Sequence, residues 1–140
     1  MRSIKEILRD SRTVAVVGMS NKPERDSYIV ARYLQEHGYR VIPVNPNYAG
    51  SEILGEKVHA SLTEAADSLA PGGRQIDIVD CFRKSADIPP VAREAIGIRA
   101  ACLWMQLGVE NQAAADMASA AGLDVVMDRC IKIDHAELQD

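Results

Sequence analysis

Cysteine is scarce in this chain, and its arrangement excludes two kinds of stabilisation. The three cysteines, Cys81, Cys102 and Cys130, are odd in number and form no CxxC pair, which argues against a disulfide framework and against a structural zinc site. Free thiols suit a reducing compartment, so we expect a cytoplasmic protein. The first residues alternate apolar and charged side chains at helical spacing and lack the unbroken apolar stretch of a secretory signal.

Long apolar runs and an excess of positive charge are also missing. The apolar runs are far shorter than the roughly 20 residues that cross a bilayer as a helix, so we expect no membrane span. The 16 Lys and Arg against 20 Asp and Glu give a formal net charge of −4, which disfavours nucleic-acid binding because that binding needs a basic surface. A small anionic ligand is still compatible with this charge through a local basic patch.

Short apolar runs do alternate with longer amphipathic segments along the whole chain. At 140 residues the chain fits one domain, and this alternation is typical of βαβ units around a buried parallel sheet. We therefore predict a single Rossmann-like domain over residues 1–140, an α/β fold with one doubly wound, five-stranded parallel sheet. The strand candidates are TVAVVG (13–18), YRVIPV (39–44), IDIVDCF (76–82), AACLWM (100–105) and LDVVM (123–127).

Helix signals fill the segments between the predicted strands. Ser61 and Glu64 have the spacing of a capping box, and Asp87 is placed to cap another helix, whose first turn tolerates the two prolines that follow. The last crossover helix is predicted over 110–121. The first is predicted from residues that share one helical face ahead of a glycine stop, namely Ile29, Val30, Tyr33, Leu34 and His37, followed by Gly38.

Two further segments receive a role from their pattern. The N-terminal segment presents Ile4, Ile7 and Leu8 on one helical face, which either seals the sheet edge or forms a dimer contact; the sequence leaves the oligomeric state open. The irregular stretch 45–61 is too long for a plain connection, and a loop of that length inside a compact domain is usually functional.

The turn after the first strand candidate, GMSNKPERDS (18–27), has features of a phosphate-binding loop. Gly18 permits a tight turn, Ser20 offers a hydroxyl, and Lys22 and Arg25 add positive charge. The N-terminus of the following helix presents unpaired N–H groups to an anion. A polar connection with two solvated cations is the alternative interpretation.

Two features argue against NAD as the ligand. The GxGxxG fingerprint is absent, because Met19, Ser20 and Asp26 stand where further glycines are expected. The second strand candidate ends in Asn45 and Pro46, where NAD-binding domains place an acid that hydrogen-bonds the ribose. The neutral end leaves room for a phosphorylated ribose, which favours NADP or coenzyme A.

Four segments together resemble a known family. They are similar, in the same order, to blocks of the small stand-alone coenzyme A (CoA)-binding proteins of bacteria, the YccU-like group. The resemblance covers roughly residues 4–137, and the domain more distantly resembles the CoA-binding domain of the succinyl-CoA synthetase alpha subunit. The segments are VAVVGMSNKPERDSYIVARYLQEHGYRVIPVNP (14–46), DIVDCFRKSADIP (77–89), LWMQLGV (103–109) and VVMDRCIKIDH (125–135).

The resemblance implies CoA or an acyl-CoA as the small-molecule ligand, and it implies contacts for the matched residues. The loop that holds the CoA phosphates would comprise Gly18, Met19, Ser20, Lys22 and Arg25, and the residues beside the adenosine would be Asn45 and Pro46. The adenine or pantetheine would meet Phe82 and Arg83, and the far side of the cleft would be formed by Trp104, Gln106 and Gly108. Taken without the resemblance, Arg83 is equally a surface ion-pair partner, and Trp104 is a core residue.

Cys130 follows the last strand candidate and is predicted to lie at the ligand edge of the sheet. Its neighbours Arg129 and Lys132 would favour a thiolate, which would be able to form a mixed disulfide with CoA or to transfer an acyl group. A free cysteine is also commonly a small buried residue. Asp134 and Glu137, the acids near His135 close to the chain end, are interpreted as a solvated face rather than as part of a metal site with His135.

We identify no motif for nucleophilic catalysis in the sequence. The sequence therefore predicts a CoA-binding domain without an identifiable reaction centre. The alternatives are an enzyme that uses Cys130 for acyl transfer or thiol redox chemistry, and a module that binds a partner protein in response to CoA.

Overall fold

The computed structural model describes residues 1–138 and consists of a parallel sheet with helices on both faces. In chain order the strands are β1 (Thr13–Val17), β2 (Arg40–Val44), β3 (Glu52–Ile53), β4 (Glu56–Lys57), β5 (Ile78–Cys81), β6 (Cys102–Met105) and β7 (Asp124–Val126). The helices are α1 (Ile4–Asp10), α2 (Asp26–Glu36), α3 (Leu62–Leu69), α4 (Ile88–Gly97), α5 (Gln112–Ala120) and α6 (Ile131–Leu138).

The main sheet has the strand order β2-β1-β5-β6-β7, and all of its neighbours pair in parallel. Its strands are mainly apolar and almost entirely buried, because helices cover both faces. One core layer lies under α3, α4 and α5, and the other lies under α1, α2 and α6. The predicted doubly wound, five-stranded sheet is confirmed, with each strand within about two residues of its predicted bounds.

The strand order reverses between β1 and β5. The chain moves outward from β1 to β2 and then crosses back to β5 on the other side of β1. The connections that follow β1 and β5 therefore diverge and leave a crevice at the carboxyl edge, which is where open α/β sheets bind ligands.

Most of the predicted helix signals are confirmed, but the prediction that Asp87 caps a helix was wrong. The Ser61 side chain accepts a hydrogen bond of 3.1 Å from the Glu64 N–H and caps α3. Asp87 makes no capping bond to α4. The reason is that the Ile88 N–H already bonds the Ser85 carbonyl, and the next two residues are prolines, which have no N–H to cap.

The irregular stretch 45–61 is more ordered than a plain loop. It contains a 3-10 turn over Pro46–Tyr48 and the β3–β4 hairpin. It then returns to the sheet at His59, whose N–H donates to the Pro43 carbonyl at 3.0 Å and whose carbonyl accepts from the Asn45 N–H at 2.9 Å. These bonds fix the segment against the end of β2.

The expectation of a solvated face near the chain end was wrong for Asp134, whereas Glu137 is exposed as expected. Asp134 and His135 are buried because α6 packs against α1 and α2. The Asp134 carboxylate accepts two hydrogen bonds of 2.8 Å from the Arg129 guanidinium, and His135 Nδ1 lies 2.8 Å from the Tyr33 hydroxyl. Among residues 1–138, no helix has both the length and the apolar character to cross a bilayer.

Candidate functional site

The loop after β1 turns at Gly18, where no other residue fits. Its φ is +85°, and a Cβ atom there would lie 2.3 Å from the Phe82 carbonyl oxygen and 2.9 Å from Cδ of Arg83. The Gly18 N–H also donates to the Val44 carbonyl at 2.9 Å. The absence of a side chain therefore lets the ends of β1, β2 and β5 meet closely.

The rest of this loop is held by a few short hydrogen bonds. The Ser20 N–H donates to the Ser27 hydroxyl in the first turn of α2 at 2.9 Å, and the Lys22 N–H donates to the Ser20 hydroxyl at 3.0 Å. The Asn45 amide donates to the Met19 carbonyl at 3.0 Å. The loop is thus tied both to the start of α2 and to the end of β2.

A pocket of about 350 Å³ opens above this loop, and we call it the loop pocket. Lys22 and Arg25 are exposed at its rim, and within residues 1–138 neither forms an ion pair. Arg25 is the N-cap residue of α2, and its side chain makes no capping bond. Because Arg25 lines the pocket, the positive, N-terminal end of the helix dipole lies at the pocket. The lining residues are Gly18, Ser20, Lys22, Arg25, Asp26, Ser27, Tyr48 and Phe82.

A larger cleft of about 610 Å³ lies beside the loop pocket and shares Asp26 and Phe82 with it. Its apolar lining includes Ile29, Val30 and Leu107, and its cationic lining consists of Arg83, Lys84 and Lys132. A ligand there would meet an apolar wall beside positive charge. The lining residues are Asp26, Ile29, Val30, Phe82, Arg83, Lys84, Gln106, Leu107, Val109, Cys130, Lys132 and Ile133.

A third pocket of about 230 Å³, which we call the distal pocket, continues from the other end of the cleft. It shares Leu107, Cys130 and Ile133 with the cleft, and its remaining lining residues are Asp128, Arg129, Asp134 and Glu137. The three cavities therefore form a row along the carboxyl edge of the sheet.

The structure brings most of the predicted site residues together and leaves some away from the cavities. Eight line the loop pocket or the cleft, namely Gly18, Ser20, Lys22, Arg25, Phe82, Arg83, Gln106 and Cys130. Five do not line either one, namely Met19, Asn45, Pro46, Trp104 and Gly108.

The residues that lie outside the cavities have structural contacts instead. Met19 and Trp104 are fully buried in the core layer under α2 and α6, and the Trp104 indole N–H donates to the Arg129 carbonyl at 2.8 Å. The Gly108 N–H donates to Oδ1 of Asp128 at 2.7 Å. Trp104 and Gly108 thus hold the segment between β7 and α6, which carries the far wall of the cleft.

Several cavity residues were missed by the sequence reasoning. Lys84 and Leu107 stand inside the blocks that carried the family resemblance, so their positions were available. Lys132 and Ile133 also stand inside such a block, but they belong to α6, and the sequence analysis did not predict that helix. The others, Asp26, Ser27, Ile29, Val30, Tyr48 and Val109, were not assigned to the site.

The three thiols differ in their access to these cavities. Cys81 and Cys102 are buried, and burial raises the pKa of both thiols, so both stay protonated and shielded. Cys130 is half-buried and lines both the cleft and the distal pocket. It is therefore the cysteine that a ligand in the cleft would meet.

An isolated acid lies beneath the cleft. Asp80 is fully buried on β5, and neither of its carboxyl oxygens has a hydrogen-bond partner among residues 1–138. Burial raises the pKa of Asp80 well above its usual range, because the low-polarity surroundings favour the neutral form of the carboxyl over the charged one. It shares a sheet face with Phe82, two residues further along the chain, whose side chain lines the cleft.

Together, the sheet and its cavities define a Rossmann-like domain with a crevice between the connections that follow β1 and β5, the position at which open α/β sheets bind ligands. The sequence model of the CoA binding domain family matches residues 12–136, and the chain belongs to this family. The resemblance found in the sequence is confirmed, and family membership supports CoA binding in general.

Individual relatives are similar over nearly their whole length. The Bacillus subtilis (strain 168) uncharacterized protein YneT is 43% identical over 133 residues, which cover 95% of this chain and 92% of YneT. The structure of cell-free ID.343 from Thermus thermophilus has a TM-score of 0.88 at 34% identity and covers 98% of this chain and 99% of its own. A hypothetical protein from Pyrococcus horikoshii OT3 has a TM-score of 0.88 at 39% identity, with coverages of 98% and 90%.

Proposed function

We propose that this chain acts as a single CoA-binding domain, which holds CoA or an acyl-CoA with its phosphates at the loop pocket and its pantetheine arm in the cleft. The observation that carries the proposal is the pairing of the two cavities. Two cations at a helix N-terminus, which form no ion pair within residues 1–138, open directly onto an apolar-walled cleft. CoA has the matching chemistry, with phosphates at one end and a long, mainly uncharged arm at the other.

The residues present fit the phosphates of CoA. Lys22 and Arg25 at the rim supply positive charge, and the adjacent cleft adds Arg83, Lys84 and Lys132. Charge-assisted hydrogen bonds to phosphate are the strong ones, and a cation cluster of this size suits a diphosphate plus a ribose phosphate. In a chain of net charge −4, this grouping marks the carboxyl edge as a place for an anion.

Asn45 supports CoA over NAD. Its amide group donates to the Met19 carbonyl, and its side-chain oxygen accepts from the Asn47 N–H at 2.9 Å. The side chain is thus engaged at both ends, and it carries no charge that would repel a phosphorylated ribose. An acid at this position, as in NAD-binding domains, would favour a free ribose hydroxyl instead.

The test is calorimetric titration of the purified protein with CoA, acetyl-CoA, NAD and NADP. The double variant Lys22→Ala/Arg25→Ala is compared with Lys57→Ala/Arg93→Ala, which removes two exposed cations outside the three cavities. We expect the first variant to weaken CoA binding by about tenfold or more per cation and the control to leave it unchanged. Equal affinity in both variants, or a preference for a nicotinamide nucleotide, would contradict the proposal.

The position of Cys130 favours a second candidate function, a thiol exchange with CoA. In this reaction the Cys130 thiolate attacks one sulfur of CoA disulfide. A bond forms between Cys130 and one CoA, and the other CoA leaves as its thiolate, so no further oxidant is needed. Incubation with CoA disulfide followed by intact-mass measurement tests it. A mass increase of one CoA that is absent in Cys130→Ser supports the reaction, and an unmodified wild-type protein rules it out.

A further inference from the structure

The order of the cavities gives a direction to a CoA whose phosphates lie at the loop pocket, as proposed above. The loop pocket and the cleft share Asp26 and Phe82, whereas the cleft and the distal pocket share Leu107, Cys130 and Ile133. A ligand whose phosphates lie in the loop pocket would pass Asp26 and Phe82 and run through the cleft. Its other end would point toward Leu107, Cys130 and Ile133. The thiol of CoA, or the acyl group attached to it, would therefore reach the junction with the distal pocket.

Two apolar side chains at this junction are exposed to solvent. Leu107 is 65% exposed and Ile133 is 51% exposed, and both line the cleft as well as the distal pocket. Single exposed apolar residues are ordinary on protein surfaces. Two that flank the far end of one cleft are different, because an apolar group seated between them would remove both from water.

The charges of the distal pocket limit the kind of acyl group that fits. Arg129 is neutralised by its two hydrogen bonds to Asp134, whereas Asp128 and Glu137 also line the pocket and carry negative charge. A second carboxylate at the end of the acyl chain, as in succinyl-CoA, would meet this negative charge, and among residues 1–138 the one cation that lines the distal pocket, Arg129, is already paired. A neutral chain meets no such repulsion.

We propose that the preferred ligand is an acyl-CoA with a neutral apolar acyl chain, which lies between Leu107 and Ile133 at the junction of the cleft and the distal pocket. This inference rests on the proposed CoA-binding function and names the class of ligand. The distal pocket has a volume of about 230 Å³ and is largely open to solvent, so an acyl chain at the junction is covered only on one side.

The test is a titration series in which the acyl chain alone is varied. CoA, acetyl-CoA, butyryl-CoA, hexanoyl-CoA and succinyl-CoA are compared by calorimetry on the wild-type protein. Burial of a methylene group strengthens binding by up to about fourfold, and we expect about twofold or more per methylene at this half-open site. Hexanoyl-CoA should therefore bind about tenfold or more tightly than acetyl-CoA, and succinyl-CoA should bind more weakly than butyryl-CoA.

The variants locate the acyl chain. The double substitution Leu107→Ser/Ile133→Ser should abolish the dependence of affinity on chain length. The matched control Leu138→Ser changes another exposed apolar residue, which lines neither the cleft nor the distal pocket, and should preserve that dependence.

The outcomes separate this inference from the proposed function. If CoA binds but the affinity is the same for every chain length, or if the dependence survives in the Leu107→Ser/Ile133→Ser variant, the acyl site is wrong and CoA binding stands. If neither CoA nor any acyl-CoA binds, the proposed function itself is wrong.

Discussion

The close approach at Gly18 leads to a stability prediction that can be worked out from the structure. In Gly18→Ala the new side chain must adopt a φ near +85°, which costs roughly 1–2 kcal/mol for a residue other than glycine. Its Cβ would also lie 2.3 Å from the Phe82 carbonyl oxygen and 3.0 Å from the Phe82 carbonyl carbon. Because those are backbone atoms, the end of β5 must shift to relieve the overlap.

Gly38 provides a control with the same backbone strain and no overlap. Its φ is +92°, and a Cβ there would meet nothing within 4 Å. We expect Gly38→Ala to reduce the free energy of unfolding by about 1 kcal/mol and Gly18→Ala to reduce it by at least about twice as much, since strain and overlap add. The difference between the two variants then measures the overlap alone.

Urea unfolding followed by circular dichroism measures both variants, and calorimetry measures their affinity for CoA. Gly18→Ala should also weaken CoA binding, because Phe82 lines both the loop pocket and the cleft. If Gly18→Ala is no less stable than Gly38→Ala, then β5 yields easily at this point. The argument that a tight packing of strand ends shapes the site would then fail.

Three further predictions concern one buried side chain each, namely Ser27, Asp80 and His135. Ser27→Ala removes the acceptor of the Ser20 N–H, which should reduce stability by about 1 kcal/mol and weaken CoA binding; calorimetric affinity equal to that of the wild type would contradict it. Burial raises the pKa of Asp80, so the folded state keeps its proton to a higher pH than the unfolded state does. The free energy of unfolding should therefore fall by up to about 1.4 kcal/mol per pH unit as pH rises from 3.8 toward the folded-state pKa. Urea unfolding across this range should show that fall in the wild type and not in Asp80→Asn. Burial and His37 lower the pKa of His135, so the folded state binds fewer protons and stability should fall as pH drops below 6.5. A His135→Gln variant with the same pH dependence of urea unfolding would refute this.

The sheet was predictable because its strands are buried on both faces. Runs such as TVAVV and CLWM are apolar throughout, and that continuous pattern locates a parallel strand within a residue or two. The loop pocket was predictable for a related reason. Six of its eight lining residues follow β1 in one short segment, so a local reading of glycine, hydroxyl and charge finds Gly18, Ser20, Lys22 and Arg25.

The far wall of the cleft was not predictable because it depends on tertiary contacts. α6 is short, and its buried residues include Asp134 and His135, which in the sequence suggest exposure. Asp134 is buried because Arg129 neutralises it, and His135 is buried because α1 and α2 pack beside it. Trp104 was predicted from the family resemblance to line the cleft but lies in the core instead. It stands in a block that resembles the family, yet its indole reaches the Arg129 carbonyl from the core.

The packing of α1 against α6 has a practical consequence for expressing this domain. The family match begins at residue 12, so a fragment trimmed to that boundary would lose α1. Trimming would expose the core surface now covered by Ile7 and Leu8 and would remove the Leu8 carbonyl that accepts the Tyr39 hydroxyl. The newly exposed apolar surface would make the trimmed fragment prone to aggregate. α6 also carries Lys132 and Ile133 of the cleft, so the loss of its contacts with α1 would loosen that wall of the cleft.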